Sequence, residues 1–318
     1  MVSVLLPVYN GAETLGAAVD SILAQEGVEF ELLLIDDASG DGSAEMVVGY
    51  AARDGRVKAI LHRENAGLAS TLNEGLEAAR YELVARMDQD DIAMPDRLRT
   101  QVNFMNAHPE VVLAGSFVVH MGFDRCADRL IELPTTPRQV ARRLQQENCV
   151  YHPAVILRRS AVVEAGGYRR EFRNAEDYEL WLRLARHHDL ANIPEPLLRY
   201  RFSISGMTLG RKWEQLRYVY LAQEMHRQPG IELAEAELRA DERLQQLDRR
   251  SFMRQVATGT VEELARLRLW KDGRRLVRAF AREIGARETA RLYQRLLTAQ
   301  LSRERSEVAV GSLRDVRA

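Results

Sequence analysis

The sequence predicts an α/β fold: a doubly wound nucleotide-binding sheet followed by a C-terminal α-helical appendage. Two observations predict it. Short apolar runs alternate four times with stretches of helical periodicity within about the first hundred residues, as in open sheets covered by helices on both faces. Beyond about residue 206 the chain changes to helical runs dense in Arg, Glu, Leu and Ala. We therefore predict two domains, residues 1–205 and 206–318.

The composition is that of a soluble globular protein. The chain has 318 residues, of which 46% are hydrophobic and 29% charged, enough for one sizeable core and a second unit. A formal net charge of −1 gives no general attraction for nucleic acid, so no nucleic-acid partner is expected. No apolar run approaches the roughly 20 residues of a membrane span, and no signal peptide is recognisable. We expect a cytoplasmic protein, with docking at the inner face of the cell membrane left open.

The first four strands are predicted from short, mainly apolar runs, each followed by a polar loop. The runs are residues 2–8, 32–35, 57–61 and 83–87. The run at residues 2–8 indicates a parallel strand that is buried on both faces. The helices between the strands are indicated by apolar residues at helical spacing: Leu15, Ala18, Val19, Ile22 and Leu23, then Met46, Val47, Tyr50 and Ala51, then Leu68, Leu72 and Leu76. Polar strand ends and helix starts rich in Gly, Ser and Asn are typical of a nucleotide-binding crevice.

Beyond the fourth strand the alternation weakens. Residues 111–119 and 151–157 are apolar runs that predict two further strands. Ser160 is predicted to cap a short helix, and residues 174–177 open another. Acidic residues in the first turn of a helix are also favoured by its dipole, so the acids of this segment have an ordinary structural explanation as well as a functional one.

The fourth predicted strand ends in an acidic cluster, Asp88-Gln89-Asp90-Asp91. Two carboxylates at positions i and i+2 can hold a hard cation between protein oxygens and substrate phosphates. Asp-rich segments are also common in turns and at helix caps, so the residues alone leave both interpretations open.

Neither of the usual phosphate-binding loops is present. There is no G-x-G-x-x-G after a strand and no G-K-[ST], which disfavours Rossmann-type dehydrogenases and P-loop NTPases. A bound phosphate would therefore need another counter-charge, which a metal on Asp88 and Asp90 would supply. Asp37 follows the second strand; it is either a turn residue or a hydrogen-bond acceptor for a base or ribose. Its loop begins like an EF-hand, but the twelfth position is Val48 and a strand precedes it, so calcium is not expected there.

An ordered set of motifs over about residues 1–205 resembles family 2 glycosyltransferases with the GT-A fold. The motifs are Val4-Leu5-Leu6-Pro7-Val8-Tyr9-Asn10, Ile35-Asp36-Asp37-Ala38-Ser39-Gly40-Asp41-Gly42-Ser43, Asn65-Ala66-Gly67 with Leu72-Asn73-Glu74-Gly75, Met87-Asp88-Gln89-Asp90-Asp91 with Pro95-Asp96-Arg97-Leu98, His152-Pro153, Gly167-Tyr168, and Glu176-Asp177-Tyr178-Glu179-Leu180-Trp181. Each motif is weak alone, whereas the ordered set is specific.

The resemblance implies an enzyme that moves a sugar, with inversion, from a nucleoside-diphosphate sugar to an acceptor hydroxyl. A UDP-sugar is the first expectation for the donor, and a saccharide or lipid-linked acceptor is expected in the assembly of a cell-surface polysaccharide, lipopolysaccharide or glycolipid. The residues carried over for donor binding are Pro7, Val8 and Tyr9, which would line the nucleoside pocket, Asp37, which would accept a hydrogen bond from the base, and Asp88, which would reach the ribose or the metal. Asp90 would coordinate the divalent cation, Mn²⁺ or Mg²⁺, and Asp177 would be the general base.

Two departures from the family pattern stand out. Ser203 occupies a position where many relatives have His, which leaves Arg201 and Ser205 as candidate diphosphate or loop contacts. The Q-x-x-R-W sequence of the processive synthases is absent, so we expect one sugar to be added per encounter. His152 is either an acceptor-side residue or a structural one.

The C-terminal appendage carries a group of arginines: Arg274, Arg275, Arg278 and Arg282. The favoured interpretation is a solvated face of helices that pack on the first domain or on a second subunit, which leaves a homo-oligomer open. The alternative is a basic surface for anionic lipid or a lipid-diphosphate acceptor. For the whole chain, the alternatives to a glycosyltransferase are a sugar-phosphate nucleotidyltransferase and a non-catalytic nucleotide-sugar binding or scaffold protein.

Overall fold

The computed structural model describes residues 1–122, 127–201 and 209–315, and it confirms the predicted α/β fold. Nine strands form one sheet in the order β3-β2-β1-β4-β8-β6-β9-β5, with β7 beside β6. The strands are β1 (Val2–Val8), β2 (Phe30–Asp36), β3 (Val57–Leu61), β4 (Leu83–Arg86), β5 (Ile92–Ala93), β6 (Val111–His120), β7 (Arg129–Ile131), β8 (Ile156–Arg158) and β9 (Asp189–Tyr200).

Helices connect the strands and continue beyond the sheet. They are α1 (Ala12–Leu23), α2 (Ser43–Arg53), α3 (Leu68–Ala78), α4 (Arg97–Ala107), α5 (Pro137–Leu144), α6 (Arg159–Glu164), α7 (Glu176–Leu184), α8 (Leu209–Arg227), α9 (Leu233–Gln245), α10 (Arg249–Arg266), α11 (Trp270–Ile284) and α12 (Ala286–Asp315). Among the residues described, none of these helices combines the length and apolarity that a membrane span requires.

The two halves of the sheet have different pairings. Strands β1 to β4 pair in parallel, β1 with β2 and β4, and β2 with β3. Beyond β4 the pairings are antiparallel, between β4 and β8, β8 and β6, and β5 and β9. The parallel half follows from the regular strand-helix alternation, since parallel strands need a crossover. The alternation weakens at the point in the chain where antiparallel pairing replaces it.

The first two strands are buried as their apolar runs predict, whereas in β3 only Val57 is buried. All seven residues of β1 and of β2 are buried. Helix α1 packs on the core of the sheet through Leu15, Ala18, Val19 and Ile22. On α3, a Cβ at Gly75 would lie 2.8 Å from Ile35 Cδ1, so the missing side chain lets the helix approach β1 and β2 closely.

Two local predictions were wrong. Residues 151–157 are not one strand: a 3₁₀ helix, His152–Ala154, precedes β8, because Pro153 has no N–H for a sheet ladder. Ser160 does not cap α6 but lies inside it, at its second residue, and its hydroxyl bonds the Glu82 carboxylate.

The described residues divide into two compact units. Unit 1 comprises residues 1–119, 130–201 and 218–237 and holds the core of the sheet. Unit 2 comprises residues 120–122, 127–129, 209–217 and 238–315, and in it α10, α11 and α12 pack on one another. The apolar core of these three helices consists of Met253, Ala257, Val261, Leu264, Leu276, Val277, Phe280, Ile284, Leu292 and Leu296. The predicted domain boundary after residue 205 stays a prediction.

Candidate active site

The carboxyl ends of β1, β2 and β4 meet at one edge of the sheet. The registers place Val8 beside Asp36 and Leu5 beside Arg86, so the loops after these strands leave the sheet together. They surround a cavity of about 440 Å³. Its lining is Pro7, Val8, Tyr9, Asp37, Asn65, Gly67, Leu68, Thr71, Asp88, Gln89 and Asp90. Six of the seven predicted site residues thus share one cavity, and Asp177 is not among those that line it.

Gln89 joins the loop after β1 to the loop after β4. The backbone N–H of Tyr9 donates to Gln89 Oε1 at 2.8 Å, and Gln89 Nε2 donates to the Tyr9 carbonyl at 2.9 Å. The cavity wall at Tyr9 is open to solvent, since this residue is 50% exposed. The sequence analysis assigned no role to Gln89, because its partner is 80 positions away.

Asp37 organises the loop that follows β3. Its Oδ1 accepts from the Ala66 N–H at 2.7 Å and its Oδ2 from the Gly67 N–H at 2.9 Å. Gly67 has a φ of 83°, a conformation that favours glycine, and this allows two successive amides to face one carboxylate. Asn65 Nδ2 also donates to the Asp37 carbonyl at 3.1 Å. The carboxylate is therefore held at the cavity wall by backbone groups.

The acidic cluster forms a possible metal site. Ligand oxygens of Asp88, Asp90 and Asp91 all lie within 4.8 Å of one another. Asp91 is fully buried and does not cap α4, which begins after Asp96. Its Oδ1 accepts from the Arg201 N–H at 2.8 Å, while its Oδ2 has no hydrogen-bond partner in the described parts of the chain.

The carboxyls of this cluster repel one another. Burial raises the pKa of Asp90, and the neighbouring Asp88 charge raises it further. Burial followed by the Asp88 and Asp90 charges raises the pKa of Asp91 well above its usual range. Crowded, partly dehydrated carboxylates with an unsatisfied buried oxygen fit a hard divalent cation, which would offset their repulsion.

Two buried arginines lie behind the cluster, and the sequence analysis assigned neither to the site. Arg86 is 2% exposed and its Nη2 lies 2.5 Å from Asp88 Oδ1. Its Nε and Nη1 have no hydrogen-bond partner among the described residues. Arg97 Nη2 donates to the Arg86 carbonyl at 2.6 Å, and burial lowers the pKa of Arg97 to about 9. The position of Arg86, between an apolar run and the acidic cluster, is the sequence signal that could have identified it.

Arg201, a candidate diphosphate contact from the sequence, lies at the acidic cluster. Its Nε donates to the Asp90 carbonyl at 2.8 Å, in addition to the bond from its N–H to Asp91. Ser203 and Ser205 lie outside the described residues.

Asp177 is in the first turn of α7, beside Glu176. Asn148 Nδ2 donates to Asp177 Oδ2 at 2.8 Å, and the Tyr178 N–H donates to Oδ1 at 2.7 Å. Burial raises the pKa of Asp177, although these two bonds and the Arg86 charge lower it. Burial and then the Asp177 charge raise the pKa of Glu176 to about 7. A carboxyl of this kind suits proton transfer near neutral pH.

His152 has the environment of a structural residue. It is 8% exposed, its Nε2 lies 3.0 Å from the Tyr168 hydroxyl, and its ring meets Trp181 edge-on at 5.6 Å. Burial lowers the pKa of His152 well below its usual value, and the Arg86 charge lowers it further. This supports the structural alternative over the acceptor-side one.

Comparison with known sequences finds glycosyltransferases. A family model described as glycosyl transferase family 2 matches residues 3–166. The amylovoran biosynthesis glycosyltransferase AmsE of Erwinia amylovora is 32% identical over 220 residues, which are 68% of this chain and 82% of that protein. The O-antigen biosynthesis glycosyltransferase WbnJ of Escherichia coli is 31% identical over 207 residues, 63% of this chain and 79% of that protein.

Comparison with solved structures shows the fold. S. aureus TarS in complex with UDP-GlcNAc matches with a TM-score of 0.57 at 17% identity, over 89% of this chain and 88% of that one. The mannosyltransferase PcManGT from Pyrobaculum calidifontis, in complex with GDP-Man and Mn²⁺, matches with a TM-score of 0.57 at 18% identity, over 97% and 83% of the two chains. The predicted GT-A fold is thereby confirmed.

Proposed function

The chain belongs to glycosyltransferase family 2, and on that premise we propose that it is a metal-assisted, inverting enzyme that moves a sugar from a nucleoside-diphosphate sugar to an acceptor hydroxyl. The observation that carries the proposal is the single cavity shared by Pro7, Val8, Tyr9, Asp37, Asp88 and Asp90. Open α/β sheets bind nucleotides at the carboxyl ends of their parallel strands.

The donor would lie along this edge of the sheet. Pro7, Val8 and Tyr9 would line the nucleoside pocket, and the Asp37 carboxylate would accept a hydrogen bond from the base. Asp88 would reach the ribose or the metal. Asp90, with Asp88 and Asp91 beside it, would hold a divalent cation, Mn²⁺ or Mg²⁺, which when bound supplies positive charge that stabilises the departing diphosphate.

Asp177 would act as the general base. It would take the proton of the acceptor hydroxyl as the acceptor oxygen bonds to the anomeric carbon and the bond from that carbon to the diphosphate oxygen breaks. Attack opposite to the leaving group inverts the anomeric centre. Asn148 and the Tyr178 amide orient the carboxylate, and the buried Arg86 charge favours its ionised form.

The substrate class follows by similarity. TarS is recorded with UDP-GlcNAc and PcManGT with GDP-Man, and the two sequence relatives are named for amylovoran and O-antigen biosynthesis. We propose a UDP-sugar as the first donor to test and a growing cell-surface polysaccharide or its lipid-linked precursor as the acceptor.

We propose that residues 1–205 form the catalytic domain and that the extension, residues 206–318, binds an anionic membrane surface. Residues 249–300 hold thirteen Lys and Arg but five Asp and Glu, a net charge of +8 within a chain of net charge −1. On α11 the side chains of Arg275, Arg278 and Arg282 are exposed, and Leu276, Val277 and Phe280 are buried in the helical core. We propose an anionic bilayer surface as the partner of this face, because its negative charge is complementary to that of the arginines.

The donor assignment is tested by thermal unfolding with UDP-, GDP-, dTDP- and CDP-sugars, each with and without Mn²⁺ or Mg²⁺. We expect one nucleotide class to stabilise the wild type only with metal, by about 2.7 kcal/mol at 100 times Kd. Asp90→Ala should remove this stabilisation. The matched control is Asp96→Ala, whose carboxylate is 63% exposed and lies outside the cavity lining.

Other outcomes would redirect the assignment. If no nucleotide sugar stabilises the wild type, the cavity is not a donor site. Stabilisation without turnover on a broad acceptor panel would favour the non-catalytic binding protein, and release of pyrophosphate from a nucleoside triphosphate and a sugar phosphate would favour the nucleotidyltransferase.

A further inference from the structure

His62 lies between two carboxylates at the edge of the donor cavity. It follows β3, and its Nδ1 is 2.7 Å from Asp37 Oδ1 while its Nε2 is 2.7 Å from Glu74 Oε2 on α3. The imidazole is 11% exposed, so water reaches it only partly. The His62 N–H donates to the Asp36 carbonyl at 2.9 Å, which fixes the backbone from which the ring projects.

This geometry selects the protonated ring. A neutral imidazole has one N–H and one lone pair, whereas an imidazolium has two N–H groups. With ionised carboxylates at both nitrogens, only the imidazolium donates at both sites; a neutral ring would set a lone pair against a carboxylate oxygen. Partial burial lowers the pKa of His62, but the hydrogen bonds and charges of Asp37 and Glu74 raise it by more, so the pKa lies above its ordinary value.

The Asp37 carboxylate connects His62 to the donor. Its Oδ1 already accepts from His62 and from the Ala66 N–H, which uses the acceptor capacity of that oxygen. Among the residues that the structure describes, its Oδ2 accepts from the Gly67 N–H alone and retains a lone pair. Asp37 is 5% exposed and lines the cavity. The His62 contact therefore fixes which oxygen stays available to a ligand.

We propose that His62 is a positioning residue for donor binding: as an imidazolium clamped between Asp37 and Glu74, it holds the Asp37 carboxylate so that Oδ2 accepts an N–H of the nucleotide base. This inference rests on the proposed function, in which Asp37 contacts the base. His62 itself touches neither the base nor the reacting atoms.

The proposal predicts the direction of a pH effect. Nucleotide affinity is greatest while His62 is protonated and falls as pH rises through its raised pKa. Linkage is reciprocal, so a bound nucleotide raises the pKa of His62 in turn. The charged groups that face the ring are Asp37 from the loop after β2 and Glu74 from α3. The Asp36 carboxylate is turned to the Ser39 N–H at 3.0 Å, and Arg63 and Glu64 are exposed.

The test measures the Kd of UDP with Mg²⁺ by calorimetry from pH 6.5 to 9, together with the ¹⁵N signals of the histidine rings. We expect the wild-type Kd to rise about 10-fold as His62 loses its proton. Removing a group that orients a metal ligand by a hydrogen bond has an effect of similar size on metal affinity. His62→Gln should bind at all pH values as the wild type does at high pH. Glu74→Gln should bind normally at low pH and move the transition to lower pH, because His62 then faces one carboxylate.

Controls separate positioning from folding and from the donor assignment. His108→Gln changes an exposed histidine that pairs with Glu110 at 3.2 Å outside the cavity lining, and it should behave as the wild type. Ionisation of UDP itself would appear in every variant. A wild-type Kd that does not change with pH, or a His62 ring whose pKa is not raised above its ordinary value, overturns the proposal. If UDP binds no variant but GDP, dTDP or CDP does, the same series is run with that nucleotide. If none binds, the donor assignment fails and with it this proposal, although the ring signals still show whether the clamp exists.

Discussion

The edge of the sheet and the C-terminal helices use charge in opposite ways. At the sheet edge two of the charged groups are fully buried: Arg86 is 2% exposed and Asp91 is inaccessible. On α11 Arg275, Arg278 and Arg282 are exposed, and the buried side chains are apolar. Burying a charge is costly unless partners compensate it, so a buried charge has a defined position and a defined partner. An exposed charge contributes little to stability and acts mainly on what approaches the surface.

The difference in environment implies a difference in salt dependence. Exposed charges are screened over about 8 Å at physiological ionic strength, whereas buried pairs are screened much less. Substitutions at the sheet edge should therefore change turnover or folding similarly at low and high salt. Substitutions of the exposed arginines on α11 should change only binding to anionic surfaces, and that effect should disappear at high salt.

The largest effect is expected from Asp177→Asn. Asn keeps the shape of the side chain but cannot accept the acceptor proton, so kcat should fall by about 10² to 10⁴-fold while nucleotide binding stays unchanged. The measurement is kcat with the donor found by thermal unfolding, at 50 and 300 mM salt. In the wild type kcat should also rise with pH, because burial raises the pKa of the base.

Asp189→Asn is the matched control for this substitution. Asp189 is exposed at the start of β9 and lies away from the cavity lining, so kcat should not change. Loss of less than about 10-fold in Asp177→Asn would be too small for a general base and would move the role to Glu176, whose pKa is raised to about 7.

A smaller but still large effect is expected on folding from Arg86→Met. The substitution removes the partner of Asp88 at 2.5 Å and the positive charge that compensates the more deeply buried carboxyls of Asp90 and Asp91, so the free energy of unfolding should fall by about 3–5 kcal/mol. Arg99→Met is the comparison: Arg99 pairs with Asp96 at 2.5 Å but is 50% exposed, and such pairs contribute about 0.2–1 kcal/mol. Urea unfolding without metal measures both, and equal losses would show that burial is not what distinguishes the two pairs.

The sequence predicted which residues at the strand ends share the cavity. Asp37 and Asp88 follow continuous apolar runs, and parallel strands bring their carboxyl ends to one edge, so proximity follows from the pattern. The parallel half of the sheet was predictable for the same reason. The antiparallel half was not, because short apolar runs do not indicate strand direction, and Pro153 turned part of one run into a 3₁₀ helix.

Other parts of the site depend on partners that are remote in sequence. Gln89 binds the backbone of Tyr9, and the Arg201 N–H binds Asp91 across 110 positions. No local pattern signals such pairs. His62 is the clearest case, since neither Asp37 nor Glu74 lies within helical or strand spacing of it, and the clamp exists only after β2, β3 and α3 have packed.

The smallest effect on turnover is expected from the helical unit. Replacing Arg275, Arg278 and Arg282 together by Ala should leave kcat on a soluble acceptor unchanged, and each surface substitution should alter stability by less than about 0.5 kcal/mol. Binding to vesicles that contain phosphatidylglycerol should weaken by about 1 kcal/mol per residue removed at low salt. Co-sedimentation at 50 and 300 mM salt measures this.

The comparison with Phe280→Ala tests whether the two faces of α11 have separate roles. Phe280 is 2% exposed in the helical core, so its loss should destabilise the protein by about 3–5 kcal/mol, and vesicle binding of the folded fraction should persist. If the wild type does not bind anionic vesicles even at 50 mM salt, the arginines form only a solvated face. In that case the net charge of +8 over residues 249–300 has no lipid partner, and the extension is a packing element alone.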